Sequence, residues 1–250
     1  MSSNLALYLN KDSFEVGTDE VARGCLFGRV YAAAVIWPQE EPADTIYYPP
    51  IRDSKKLTPK KRQKLKEFIE NNAIAYAVSY STEEEIDKLN ILGASQLAMH
   101  RALDKVRKQV DFDHILVDGN YFIPYQTYTY NTFEKGDDKF YSIAAASILA
   151  KVYHDQYIHD LVMEYPDLEK YGLLSNMGYG ASIHMKAIKK YGVTQFHRRS
   201  FKPCSGKQFT VKKGIKEIKN EEIENEEIEN EEIENENDIE ELINNLEEKL

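Results

Sequence analysis

Cysteine is scarce in this 250-residue chain, with only Cys25 and Cys204. Two thiols make no disulfide framework, so the fold has to rest on a packed apolar core. Neither thiol reads as a nucleophile: Cys25 lies in an apolar run and Cys204 follows a proline. Long apolar runs are missing too, and nothing approaches the roughly 20 residues of a membrane-spanning helix. At the amino terminus residues 5–9 are apolar but short, and charged residues follow, which is not the pattern of a secretory signal. These absences lead us to expect a soluble, cytoplasmic protein with no membrane partner. Metal-ligand spacing between cysteine and histidine is also lacking, so His184 and His197 read as structural or substrate-contacting residues.

An excess of positive charge is absent as well, since the formal net charge is -10. That figure joins two unlike regions. From Glu217 onward 16 acidic residues face only Lys219 and Lys249, a balance of -14 that leaves +4 for residues 1–216. A mildly basic body is compatible with nucleic acid, although a charge of that size does not establish it. The tail repeats Asn-Glu-Glu-Ile-Glu at 220, 225 and 230. A period of five rotates Ile223, Ile228 and Ile233 around a helix, and together with the charge this predicts disorder. Only Ile239, Leu242, Ile243, Leu246 and Leu250 share a helical face, which suits a short partner-binding helix or a frayed one. The tail has no glutamine-anchored aromatic motif of the kind that docks on sliding clamps.

The body has ample length for a core. Phe14-Glu15-Val16-Gly17-Thr18 reads as a strand running into the acidic pair Asp19-Glu20, with Arg23-Gly24 just beyond. Side chains alternate along a strand, so adjacent acids would share a site only where the backbone leaves regular strand geometry. Two carboxylates held close repel each other, and a hard divalent cation removes the conflict. Residues 27–37 read as a second strand, and the proline-punctuated residues 38–50 as a loop. Thr58-Pro59 opens a helix with a cap and a proline at its first position. A third strand over residues 73–81 and a helix over 91–110 follow. Residues 114–118 form a short buried strand that places Asp118 at its carboxyl end, where open α/β sheets bind ligands. A fifth strand is expected over 126–132, with helices over 140–164 and 181–191.

Six blocks in order resemble the ribonuclease HII (type 2 ribonuclease H) family. They are Gly17-Thr18-Asp19-Glu20-Val21-Ala22-Arg23-Gly24, Asp53-Ser54-Lys55-Lys56-Leu57, Val117-Asp118-Gly119-Asn120, the stretch from Ser142 through Lys151-Val152 to Asp155, Gly178-Tyr179-Gly180, and His197-Arg198-Arg199-Ser200-Phe201. The resemblance spans roughly residues 14–203. It implies an α/β ribonuclease H-like fold: a mixed five-stranded sheet flanked by helices, in a catalytic domain over residues 1–165. A carboxyl-terminal helical region over 166–216 would complete the substrate groove, with the acidic tail at 217–250.

The resemblance further implies a metal-dependent endoribonuclease that hydrolyses the RNA strand of RNA/DNA hybrids and incises 5′ to ribonucleotides embedded in duplex DNA. Asp19, Glu20, Asp118 and Asp155 would hold two Mg2+ or Mn2+ ions, with 5′-phosphate and 3′-hydroxyl products. In that scheme Asp19 bridges the ions, Asp155 supports the water-activating ion, and Glu20 and Asp118 favour the leaving-group ion. Ala22, Arg23, Gly24 and Tyr179 occupy the positions that read the 2′-hydroxyl at an RNA-to-DNA junction. Lys55, Lys56 and Arg198 would contact the nucleic-acid backbone. Ala22 departs from the family's usual glycine, and its methyl group would obstruct a close backbone approach or a positive φ angle. A monomer is implied. Another nuclease on the same fold and a non-catalytic hybrid-binding module are the alternatives. The Asp-Ser-Lys-Lys-Leu and Gly-Tyr-Gly blocks weigh against the first, and the retention of all four carboxylates against the second.

Overall fold

A computed structural model of the protein describes residues 5–40, 51 and 57–207. The tail at 217–250, with Lys55 and Lys56, lies outside the described residues. A five-stranded mixed sheet runs in the order β3-β2-β1-β4-β5. Its strands are β1 (Glu15–Val21), β2 (Val30–Ile36), β3 (Ala75–Ser81), β4 (His114–Asp118) and β5 (Thr129–Phe133). The first three pair antiparallel, whereas β4 lies parallel to β1 and β5 parallel to β4. Val30–Ile36 is buried at every position because β2 is central and covered on both faces. At the edge, β3 alternates buried and half-buried residues, as a strand with one solvated face should.

Helix α2 (Glu83–Arg107) covers one face, where Ala98, Met99, Ala102 and Leu103 pack on Val16, Ala34, Ile36 and Ile115. Helix α3 (Tyr141–Glu164) covers the other together with α1 (Pro59–Asn72), packing Ala144, Ala145 and Ile148 among Ala33, Val35, Leu65 and Ile69. The alanines permit close approach, and Gly17 requires it: a Cβ there would lie 2.4 Å from the Ser142 hydroxyl and 2.5 Å from a backbone carbon. This contact fixes the start of α3 against the middle of β1.

Thr58 caps α1 as the Thr-Pro pair predicts, its hydroxyl accepting from the Lys61 N–H at 3.4 Å with Pro59 at the first turn. The second helix begins earlier than its periodicity suggests. Thr82 and Glu85 form a reciprocal capping box, and the pattern is broken at Asn90, whose φ of 58° kinks the helix. The fifth strand starts at Thr129 instead of 126, after a turn in which Tyr128 N–H donates to Tyr125.

Beyond α3 the chain folds into a 3-10 turn (Pro166–Tyr171), α4 (Leu173–Asn176) and α5 (Ser182–Tyr191). Leu168, Tyr171, Leu173 and Ile188 share one apolar cluster with Ile158 and Leu161 of α3 and with Leu26 and Phe27 of the β1–β2 connection. The carboxyl-terminal region is thereby packed against the segment that follows the acidic pair.

Candidate active site

The backbone does not leave strand geometry at the acidic pair, contrary to the expectation from alternation. β1 keeps its register with β2 through Asp19↔Ala33, Glu20↔Ala32 and Val21↔Tyr31. On its other side β1 pairs with β4 only as far as Thr18↔Val117, and β4 ends at Asp118. Both acids therefore stand at the carboxyl-terminal rim of the sheet, still paired with β2 but beyond the last residue paired with β4. Asp118 acts on both electrostatically, and its charge helps raise the pKa of each.

Asp19 is buried, and its carboxyl is pushed well above the ordinary range, first by desolvation and then by Glu20, Asp118 and Asp137, against a lowering hydrogen bond from Ser147. Glu20 is raised mainly by burial, while its contact with Arg23 at 3.1 Å lowers it. A fourth acid that acts on Asp19 electrostatically is Asp137, which lies outside the six sequence blocks. It sits in a 3-10 turn (Gly136–Asp138) just ahead of α3. The Gly136 N–H donates to Asp118 Oδ1 at 2.6 Å, tying the turn to the rim. At Gly136 a Cβ would meet the Ile143 side-chain end at 2.7 Å and Asp118 Oδ1 at 3.2 Å, so a larger residue would have to displace both. In sequence Gly-Asp-Asp looks like any solvated turn; a glycine between a strand and a helix was the only signal.

Asp155 has a different set of neighbours. It lies eight residues beyond Ser147 on α3, about 12 Å farther along the axis, and it is absent from the charges acting most strongly on Asp19. Cationic and donor groups surround it: Lys151 Nζ at 2.6 Å, Arg62 Nη2 at 3.2 Å and the buried His154 Nδ1 at 3.1 Å. Burial alone would raise its carboxyl, but hydrogen bonds from His154 and Lys151 and the Lys151 charge hold it below the usual range. Arg62 also donates to the Leu57 carbonyl at 2.7 Å, so Asp155 secures the end of the Asp-Ser-Lys-Lys-Leu block to α3.

Ala22, Arg23, Gly24 and Tyr179 do come together. Cys25 and Tyr179 form an antiparallel bridge, and Leu26 N–H donates to the Gly178 carbonyl at 2.8 Å. The Tyr179 ring faces Gly24, 3.8 Å from where a Cβ would stand. Its hydroxyl, paired with Cys25, is pushed up to about 12, chiefly by burial. Gly178 has φ +83°, and a Cβ there would strike the Phe27 carbonyl at 2.7 Å, so this glycine is required by geometry. Ala22 is also left-handed, with φ 74°. The methyl group therefore does not forbid the positive φ; the chain adopts it at a cost of about 1–2 kcal/mol.

Arg198 is not available to a phosphate. It is completely buried, and its guanidinium donates to four carbonyls: Gly28 at 2.8 Å, Ala22 at 2.8 Å, Arg23 at 3.1 Å and Arg29 at 3.0 Å. Sequence alone cannot separate a basic residue that faces solvent from one that turns inward to bind a loop.

Donor chemistry at the rim suits hard divalent cations: carboxylate oxygens only, Asp19 buried and Glu20, Asp118 and Asp137 half-buried, with Asp19 raised by desolvation and then by its acidic neighbours. Among the described residues no group of three or more Asp, Glu, His or Cys side chains is arranged to hold a metal ion. Asp19 Oδ1 accepts from the Glu20 N–H at 2.7 Å and Asp118 Oδ1 from the Gly136 N–H at 2.6 Å.

The sequence model of the ribonuclease HII family matches residues 16–204. A ribonuclease HII of Parabacteroides distasonis is 48% identical over 194 residues, covering 78% of this chain and 92% of that protein. A ribonuclease HII of Phocaeicola vulgatus is 50% identical over 196 residues, with 78% and 92% covered. Among solved structures, ribonuclease H2 of Pyrococcus horikoshii aligns with a TM-score of 0.59 at 24% identity, covering 76% of this chain and 94% of that one. Ribonuclease HII of Archaeoglobus fulgidus, solved in complex with PCNA, aligns at 0.60 and 22% identity, with 80% and 98% covered. Bst-RNase HIII in complex with Mn2+ aligns at 0.57 and 19% identity, with 80% and 68% covered.

Proposed function

The chain belongs to the ribonuclease HII family of metal-dependent endoribonucleases, and from that premise we propose that it cuts RNA paired with DNA and incises DNA 5′ to a single embedded ribonucleotide. The products are 5′-phosphate and 3′-hydroxyl ends. The observation that carries the reading is the adjacency of two structures: the carboxylate rim of Asp19, Glu20, Asp118 and Asp137, and the loop Ala22-Arg23-Gly24 against Tyr179.

In this reading the four rim carboxylates hold two divalent ions, Mg2+ or Mn2+. Bound there, the ions supply Lewis-acid polarisation of the scissile phosphodiester and a water of lowered pKa. Ser147 orients Asp19, and Gly136 orients Asp118. Asp155 is a positioning residue that holds Lys151 and Arg62, and through Arg62 the Leu57 end of the lysine block. Backbone groups of residues 22–24 meet the 2′-hydroxyl, the feature that separates RNA from DNA, and the Tyr179 ring lies on the next sugar. Arg23, half exposed beside Glu20, offers its charge to the phosphate backbone, with Lys55 and Lys56. The PCNA complex is a property of the Archaeoglobus fulgidus protein, and residues 217–250 here contain neither glutamine nor an aromatic residue.

The deciding assay presents two end-labelled duplexes with magnesium or manganese: an RNA/DNA hybrid, and DNA carrying one ribonucleotide. Cleavage of both, the second nicked 5′ to the ribonucleotide, is expected. Cleavage of the hybrid alone removes junction reading from the proposal while leaving the carboxylate site in place. Failure of folded protein to cut either overturns it.

A further inference from the structure

One short segment holds both halves of the junction-reading surface, and it touches none of the rim carboxylates. The segment is Thr194–Arg198. Its backbone lies along residues 26–28: Gly28 N–H donates to the Phe196 carbonyl at 2.8 Å, Arg198 N–H to Leu26 at 3.0 Å, and Phe27 bridges to His197. Arg198 extends under the loop to the carbonyls of Ala22, Arg23, Gly28 and Arg29. Residues 22–29 thus follow the guanidinium, whose planar fork presents five donors in a fixed geometry.

The other half is held by a chain of imidazoles whose proton positions follow from its ends. The Thr194 N–H lies 2.9 Å from His197 Nδ1, and a backbone amide can only donate, so that nitrogen carries no proton. In a neutral ring the proton is then on Nε2, which lies 3.2 Å from His184 Nε2. His184 Nε2 must accept, which places the His184 proton on Nδ1, 2.9 Å from the Tyr179 carbonyl. That carbonyl can only accept. The bonds therefore run in one direction, from Thr194 through His197 and His184 to Tyr179. Both rings are buried, edge-on to Phe27 and Tyr171.

We propose that His184, His197 and Arg198 are positioning residues for substrate selection, a clamp that sets the distance between the Ala22-Arg23-Gly24 backbone and the Tyr179 ring. The clamp rests on the reading that those two elements recognise the junction. It acts on discrimination and leaves ion binding alone, because its hydrogen bonds end on loop carbonyls and none reaches Asp19, Glu20, Asp118 or Asp137.

The test measures kcat/KM on the single-ribonucleotide duplex relative to the hybrid, below the melting temperature of every variant, alongside a metal titration. His184→Ala removes the donor to the Tyr179 carbonyl. His184→Asn replaces it with an amide N–H in the Nδ1 position. His184→Ala is expected to lower the ratio about tenfold, the loss of one hydrogen bond at about 1.4 kcal/mol. His184→Asn should recover most of it, with metal affinity unchanged in both. Equal losses on the two substrates, or an Asn variant no better than Ala, would overturn the clamp. If His184→Ala does not fold, Arg198→Lys, which loses the fork but keeps the charge, is read by the same ratio. Tyr179→Ala separates the layers: an unchanged ratio there defeats the junction reading itself, whereas a lowered ratio with no effect from His184 or Arg198 defeats the clamp alone.

Discussion

The carboxylate rim and the loop proposed to read the junction lie side by side but are built in opposite ways. The rim is carried by β1 and β4, where the ladder with β2 fixes Asp19 and Glu20 and the ladder with β5 fixes Asp118 by register. The loop belongs to no long strand. Left-handed residues at Ala22 and Gly178 shape it, isolated bridges join it, and side chains more than 150 residues away in sequence hold it. A site that must bear concentrated negative charge rests on the stiffest part of the fold. The site proposed to measure one hydroxyl rests on a network of directed hydrogen bonds.

The contrast is broken most severely at the rim. Asp137→Asn should reduce turnover about a thousandfold with folding intact, the several kcal/mol expected from losing a carboxylate that supports metal-assisted catalysis. Asp155→Asn should instead raise KM with a smaller change in kcat, since it loosens Arg62 and Lys151. Steady-state kinetics on the hybrid separate the two, and a thousandfold loss of kcat at Asp155 with full activity at Asp137 would reverse the assignment.

Acid tests the loop side. His197 is brought down to about 3 by burial and by its neighbour His184, which is lowered as well, again chiefly by burial. His184 and Tyr171 are the titratable groups against its ring, and Arg198 adjoins it. Both imidazoles are neutral when folded and take up protons near pH 6.5 when unfolded. Their stabilisation is complete above 6.5 and falls as the pH drops toward 3, by about 1.4 kcal/mol per unit for His197 alone. Denaturant midpoints at pH 7.5 and 5.5 should therefore differ by more in the wild type than in His197→Gln. Equal differences would remove the imidazole pair as the cause.

The smallest effect is expected at Ala22. Glycine there relieves about 1–2 kcal/mol of left-handed strain but adds about 0.4–1 kcal/mol of unfolded-state entropy. Thermal unfolding should show a net gain of roughly 0.5–1 kcal/mol. Because the backbone already has φ 74° with alanine in place, any change in substrate ratio should be smaller than that of His184→Ala. A loss of stability would mean that the methyl group, buried at 3% exposure, contributes more by packing than the strain costs.

Legibility followed the same division. Asp19, Glu20 and Asp118 stand out in the sequence through the family resemblance, with Gly119 marking the end of the strand that carries Asp118. For Asp155 the resemblance implies a metal ligand, whereas helical spacing tells which residues share a face but not how far along the sheet that face extends. Its neighbour Lys151 was the better guide, being the ion-pair partner that i, i+4 spacing allows. Asp137 was overlooked because a Gly-Asp-Asp turn carries no periodicity, and only the meeting of its glycine with Asp118 gives it meaning. Arg198 was taken for a surface cation because composition near a chain's end says nothing about direction.

The amino-acid sequence by itself determined the elements: which segments alternate, where Thr58 and Pro59 start a helix, where β4 stops, and that six blocks stand in the order of one family. Those properties depend on neighbours within a few residues, and short-range sterics and hydrogen bonding settle them. Only the tertiary structure decided which fourth acid faces Asp19, that Arg198 turns inward, and that His197 and His184 point a line of protons at Tyr179. Those depend on the packing of α3 on β1, of the carboxyl-terminal segment on residues 22–29 and of the two buried imidazoles on each other, and no local sequence pattern encodes such side-chain directions.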